Sequence, residues 1–159
     1  MVDGVQAGVV VQSAFNEAWA RFSPDDRWIA YQSDESGQSE VYVRAFTAPG
    51  RATDSRPPDR QWQVSAGGGQ VPVWAANGRE LFYVRGDGML MTVPITVRGA
   101  TIEPQPPVAL FAARVGRDPV ATVPYDVTSD NRFLINTIVG GAAAVPITVI
   151  QHWTPPVLP

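Results

Sequence analysis

One tight-turn signature recurs three times along the chain, and its recurrence limits the fold more than any other feature. The first copy reads Arg21-Phe22-Ser23-Pro24-Asp25-Asp26-Arg27-Trp28-Ile29-Ala30-Tyr31. Proline presets φ for the second residue of a tight turn and Asp hydrogen-bonds its own backbone, so Ser-Pro-Asp-Asp predicts a hairpin flanked by strands. Trp28-Ile29-Ala30-Tyr31 is almost continuously apolar, as a strand covered on both faces is. Val73-Trp74-Ala75-Ala76-Asn77-Gly78-Arg79-Glu80-Leu81-Phe82-Tyr83 is the second copy, and Asp126-Val127-Thr128-Ser129-Asp130-Asn131-Arg132-Phe133-Leu134-Ile135 the third. The turn arginines fall at 27, 79 and 132, at spacings of 52 and 53.

That period is close to one four-stranded propeller blade with a long loop, so the expected fold is all-β, with three antiparallel blades. Composition agrees. Fourteen glycines and fifteen prolines break helical hydrogen bonding, and no window sustains a helical period. With 45% hydrophobic residues in 159 the chain can bury a core. All twelve basic residues are arginine and the net charge is −3, which leaves no basic cluster to track a phosphate backbone and argues against nucleic acid as a partner. The absence of cysteine excludes disulfide and thiolate chemistry. Val9-Val10-Val11 is too short for a signal or spanning segment, so a soluble chain with no membrane partner is expected.

Strands are expected over 9–13, 19–22, 28–31, 41–46, 61–65, 71–74, 80–84, 89–95, 108–111, 125–128, 132–137 and 146–153. Ala48 to Arg60, with Pro57-Pro58, is an excursion. Residues 1–153 then form a half propeller and the proline-rich 154–159 a tail. Because the first strand precedes the first hairpin, it belongs to the edge of a neighbouring blade, and the last blade lacks its outer strand. Propellers have about 4 to 8 blades. Two copies are therefore expected to close a six-bladed homodimer, Val9 to Ser13 of one chain pairing with Ile147 to Gln151 of the other.

Phe15-Asn16-Glu17, Phe22-Ser23-Pro24-Asp25, Ser33-Asp34-Glu35-Ser36-Gly37, Glu40-Val41-Tyr42-Val43-Arg44, Trp62-Gln63-Val64-Ser65 with three following glycines, Glu80-Leu81-Phe82-Tyr83 and Pro146-Ile147-Thr148-Val149 together resemble the TolB-type propeller repeats at the C-terminal ends of bacterial serine/threonine protein kinases. The resemblance implies the fold and no catalytic residue. No kinase glycine loop, catalytic-loop aspartate or Asp-Phe-Gly is present, so kinase activity does not carry over.

Asp25, Asp26, Asn77, Asp130 and Asn131 are explained by turn chemistry. Arg27, Arg79 and Arg132 are expected to brace adjacent blades. His152, the single histidine, falls in a strand beside Trp153 rather than in a Ser-His-Asp setting. The five tryptophans read as core. Loops entering each innermost strand, and those joining second to third strands, emerge on one face, where a rigid scaffold carries binding groups. That face is expected to hold Asn16, Glu17, Asp34, Glu35, Glu40, Asp87, Arg117, Asp118, Tyr125 and Asp126, with Asn16, Glu17, Arg117 and Tyr125 as ligand-binding candidates. Glu17, Asp34, Glu35 and Asp126 could hold Ca²⁺, which takes about 6 to 8 oxygens and could polarise an ester or lactone carbonyl. Three functions compete: an assembly or ligand-binding module for a small molecule or peptide, a Ca²⁺-dependent ester or lactone hydrolase by analogy of fold, and a fragment that only oligomerises.

Overall fold

The computed structural model describes residues 11, 13–47, 60–113, 124–136 and 147–150. These form twelve strands and no helix: β1 (Glu17–Phe22), β2 (Trp28–Ser33), β3 (Glu40–Ala45), β4 (Gln61–Gln63), β5 (Gln70–Trp74), β6 (Glu80–Val84), β7 (Met89–Arg98), β8 (Thr101–Pro104), β9 (Val108–Ala112), β10 (Tyr125–Val127), β11 (Phe133–Asn136) and β12 (Ile147–Ile150). All pairings are antiparallel. The first sheet has the order β1-β2-β3-β4, the second β5-β6-β7-β8 with β9 also on β7, and the third β10-β11-β12.

The second sheet lies between the other two. Trp28, Ala30, Val41 and Val43 of the first sheet pack against Trp74, Leu81, Tyr83, Met91 and Val93 of the second. The opposite face of the second sheet, with Val71, Val73, Phe82, Val84 and Leu90, packs against Tyr125, Phe133 and Ile135 of the third. Central strands buried on both faces read as continuous apolar runs, as Trp28–Tyr31 and Leu81–Val84 do. On its outer face the first sheet gathers Ile29, Tyr31 and Tyr42, with Val11 and Phe46 beside them.

The three turns share one backbone device. Asp26, Gly78 and Asn131 take the left-handed conformation at φ 56°, 67° and 59°, which Asp, Gly and Asn tolerate best. Their amides close the turns onto Ser23 O, Ala75 O and Thr128 O at 2.9–3.0 Å. The next hydrogen bond differs. Ser23 N donates to Trp28 O and Ala75 N to Glu80 O, but Thr128 N donates to Arg132 O, one residue sooner. Side chains alternate along a strand, so a one-residue change of register exchanges its faces. Phe133 therefore stands where Ile29 and Leu81 stand, and Arg132 takes the place of Trp28 and Glu80 rather than of Arg27 and Arg79.

Two expectations change. β7 runs on to Arg98 and returns as β8 through Gly99, at φ 61°, so the residues before Pro104 form a hairpin whose Ile102 joins the inter-sheet core. Of the strand expected over 9–13, Val11 and Ser13 are not in a strand and the rest lies outside the described residues, as do Arg117, Asp118, His152 and the 154–159 tail. Among the three arginines, Arg27 reaches across to the second sheet, its Nη2 donating to Gly99 O at 2.6 Å. Arg132 instead pairs with Asp130 in its own turn, at 2.9 Å.

Candidate functional site

The ends of the sheets opposite the three turns bring together the entry to β1, the β2–β3 loop, the connection from β4 to β5 and the β6–β7 turn. Antiparallel order places them there, and hydrogen bonds hold them. Asn16 clasps Asp34 twice, through its backbone amide at 2.9 Å and its Nδ2 at 2.6 Å, and these donors hold the Asp34 carboxyl below its usual range. Ser13 Oγ donates to Glu17. Gln61 Nε2 donates to Glu35, while Gln61 Oε1 accepts from the Tyr31 hydroxyl at 2.8 Å. Burial pushes Tyr31 up to about 12, Glu35 and Glu17 adding to the effect and Arg44 opposing it.

Glu40 is the best-buried acid of this end, not a loop-face residue, at 1% exposure. A buried carboxylate is tolerated only when its oxygens are hydrogen-bonded. Here Ser65 Oγ donates to Oε2, while Gly68 N at 2.9 Å and Gln38 Nε2 at 2.6 Å donate to Oε1. The Ser65 oxygen in turn accepts from Val41 N at 2.7 Å. Around this carboxylate the chain passes from the first sheet to the second: Gly67 and Gly68 have φ of 78° and 97°, and a Cβ on Gly69 would lie 2.5 Å from Ser65 Oγ. The glycines are thus required by conformation at two positions and by space at the third. Gly69 N donates to Ser39 O at 2.8 Å, which ties the connection to the β2–β3 loop.

Asp87 completes this end. Arg85 grips it through Nε at 3.0 Å and Nη2 at 2.6 Å, holding its carboxyl down to about 2. The described residues at the surface of this end carry four carboxylates, Glu17, Asp34, Glu35 and Asp87, against Arg85, with Glu40 buried beneath them.

Of the sequence-derived site residues, Asn16, Glu17, Asp34 and Glu35 share this end. Tyr125 is buried between the second and third sheets, where its hydroxyl donates to Val71 O at 2.8 Å and burial pushes it well up. Asp126 is exposed on the third sheet and accepts from Val127 N at 2.8 Å. Among the described residues, no three His, Cys, Asp or Glu side chains converge as a metal ion requires. Sequence reasoning missed the Glu40 node, although a carboxylate heading an apolar strand and a serine directly before three glycines are its signature. The chain matches no family model, and no curated protein matches it.

Proposed function

We propose that the three sheets are consecutive blades of a β-propeller, and that the protein acts as a binding module through the acidic, hydrogen-bonded loop end just described. One observation carries this reading: the first strand of each sheet lies against the first strand of the next, β1 on β5 and β5 on β10, as strands about a common axis do. Cross-links between these strands support it. Trp74 Nε1 donates to Arg21 O at 3.3 Å and Tyr125 Oη to Val71 O. The bulges of β1 and β5 also recur, Trp19 and Val71 having φ of 56° and 53° exactly one 52-residue repeat apart.

The excess of carboxylates at the loop end favours a positively charged group, such as the side chain of a basic peptide or a small amine. Amide-resolved NMR titration with an arginine-rich peptide tests this. Shifts are expected at residues 13–17, 34–40 and 66–69, weakening with added salt. Shifts confined to the turn end, or none, would overturn the reading.

A further inference from the structure

The middle sheet shows what the open faces of its neighbours lack. Trp74 and Leu81 face the first sheet, and Phe82 faces the third. Phe22 pairs with Ile29 as Trp74 pairs with Leu81, so Phe22 occupies the place of Trp74. Leu134, moved by the shortened third turn, occupies the place of Phe82. Trp74 is 7% exposed and Phe82 2%, whereas Phe22 is 54% exposed and Leu134 41%. The two positions closed in the middle sheet are open at the two ends of the stack. Phe22 lies on the face that would receive a preceding sheet, where Ile29, Tyr31 and Tyr42 are already buried within the chain, and Leu134 lies on the face that would receive a following one, opposite the exposed Asp126.

We infer that the outer face of the third sheet packs onto the outer face of the first sheet of a second copy of this chain, repeating a junction already made twice within it. This rests on the propeller reading above. With two copies about a twofold axis both junctions form at once and six sheets close a ring, so no adhesive face is left over. Leu134 then meets Ile29 and Phe22 of the second copy, as Phe82 meets Phe133 with ring centroids 5.0 Å apart. The receiving surface is a groove of about 390 Å³ beside β1, with Val11, Phe22, Ile29 and Tyr31 in its lining.

Light scattering on the full chain should return twice the 17.1 kDa chain mass at micromolar concentration. Phe22→Lys and Leu134→Glu should each give monomers. Mixed in equal amounts, these variants should recover a dimer, because one junction then keeps both native faces and the other sets lysine against glutamate. Val97→Lys, which charges another exposed apolar position on the β7–β8 hairpin, should leave the dimer intact. A monomeric wild type, or a dimer surviving both variants, would overturn the inference. Solution scattering separates this from the reading beneath it: a monomer whose profile fits three fanned sheets keeps the blades, and one that does not removes both.

Discussion

Tyr31 and Tyr83 stand at the same place in two copies of one hairpin and meet different surroundings. Tyr83 is enclosed between the first and second sheets, where its hydroxyl makes no hydrogen bond of normal geometry. Burial pushes it up, and the nearby Ala66 backbone only partly offsets this. Tyr31, on the outer face of the first sheet, gives its hydroxyl to Gln61 and stacks on Tyr42 with centroids 6.0 Å apart. A face covered by another sheet is held by shape and area. The face without that cover has enlisted hydrogen bonds and ring contacts, including the Phe22–Phe46 edge at 4.9 Å.

Truncation sharpens this contrast most. In a Leu134→Glu background, which removes any contribution from self-association, Trp74→Ala should cost about 3 to 5 kcal/mol in chemical denaturation, as buried aromatics do. Phe22→Ala should cost under about 1 kcal/mol there, since exposed positions rarely matter more. Equal losses would mean that the two faces do not differ as described. Next comes the Glu40 node. Glu40→Ala strands the donors of buried Ser65 and half-buried Gly68, whereas exposed Gln38 can turn to water, and each unsatisfied buried group costs about 1 to 3 kcal/mol. Hydrogen exchange should quicken first at 66–69 if the node holds that connection.

The hydroxyls provide a test of sign. Tyr83→Phe removes an unpartnered group and should be neutral or stabilising by up to about 1 kcal/mol, whereas Tyr31→Phe loses a bond and should destabilise by about 1 kcal/mol. Opposite signs in thermal melts support the comparison, and the same sign breaks it. A smaller effect is expected from acid. The Asp34 carboxyl is depressed in the folded state, so its contribution is present above the unfolded value of about 3.9 and is lost as pH falls through the folded value. Asn16→Ala should flatten that part of the stability profile between about pH 4 and lower values. The last test is of Ca²⁺: a rise in melting temperature at millimolar Ca²⁺, through mass action on the folded state, would support the metal site expected on Glu17, Asp34, Glu35 and Asp126, and an unchanged curve would count against it.

Strands and their grouping were legible because turns and apolar runs are local signals. Ser-Pro-Asp-Asp, Asn77-Gly78 and Gly86-Asp87-Gly88 all mark turns that form. The β7–β8 hairpin was not legible, since Arg98-Gly99-Ala100-Thr101 carries no Asn-Gly or Asp-Gly signal, and Ile102 is drawn into a strand by the core it fills. At the loop end, the expected strand order put Asn16 and Asp34 on one end of the sheets, where they meet, but it did not show that Glu40 and Tyr125 turn inward. Whether a polar side chain at a strand terminus turns outward or inward depends on partners distant in sequence. For Glu40 these are Ser65 and Gly68, and for Tyr125 the Val71 carbonyl.

The shortened third turn bears on how this chain finds its fold. In β2 and β6 a slip of one residue would exchange unlike faces, setting Trp28 and Ala30 against Ile29 and Tyr31 in one and Leu81 and Tyr83 against Phe82 and Val84 in the other. In β11 the register that forms buries Phe133 and Ile135, and a slip of one residue would turn Leu134 and the polar Asn136 toward the second sheet in their place. Thr128 holds the same register at the turn, its amide and hydroxyl both engaging Arg132, with Arg132 N donating back to the hydroxyl at 2.9 Å. A single polar side chain thus reinforces at the turn the register that burial of Phe133 and Ile135 favours.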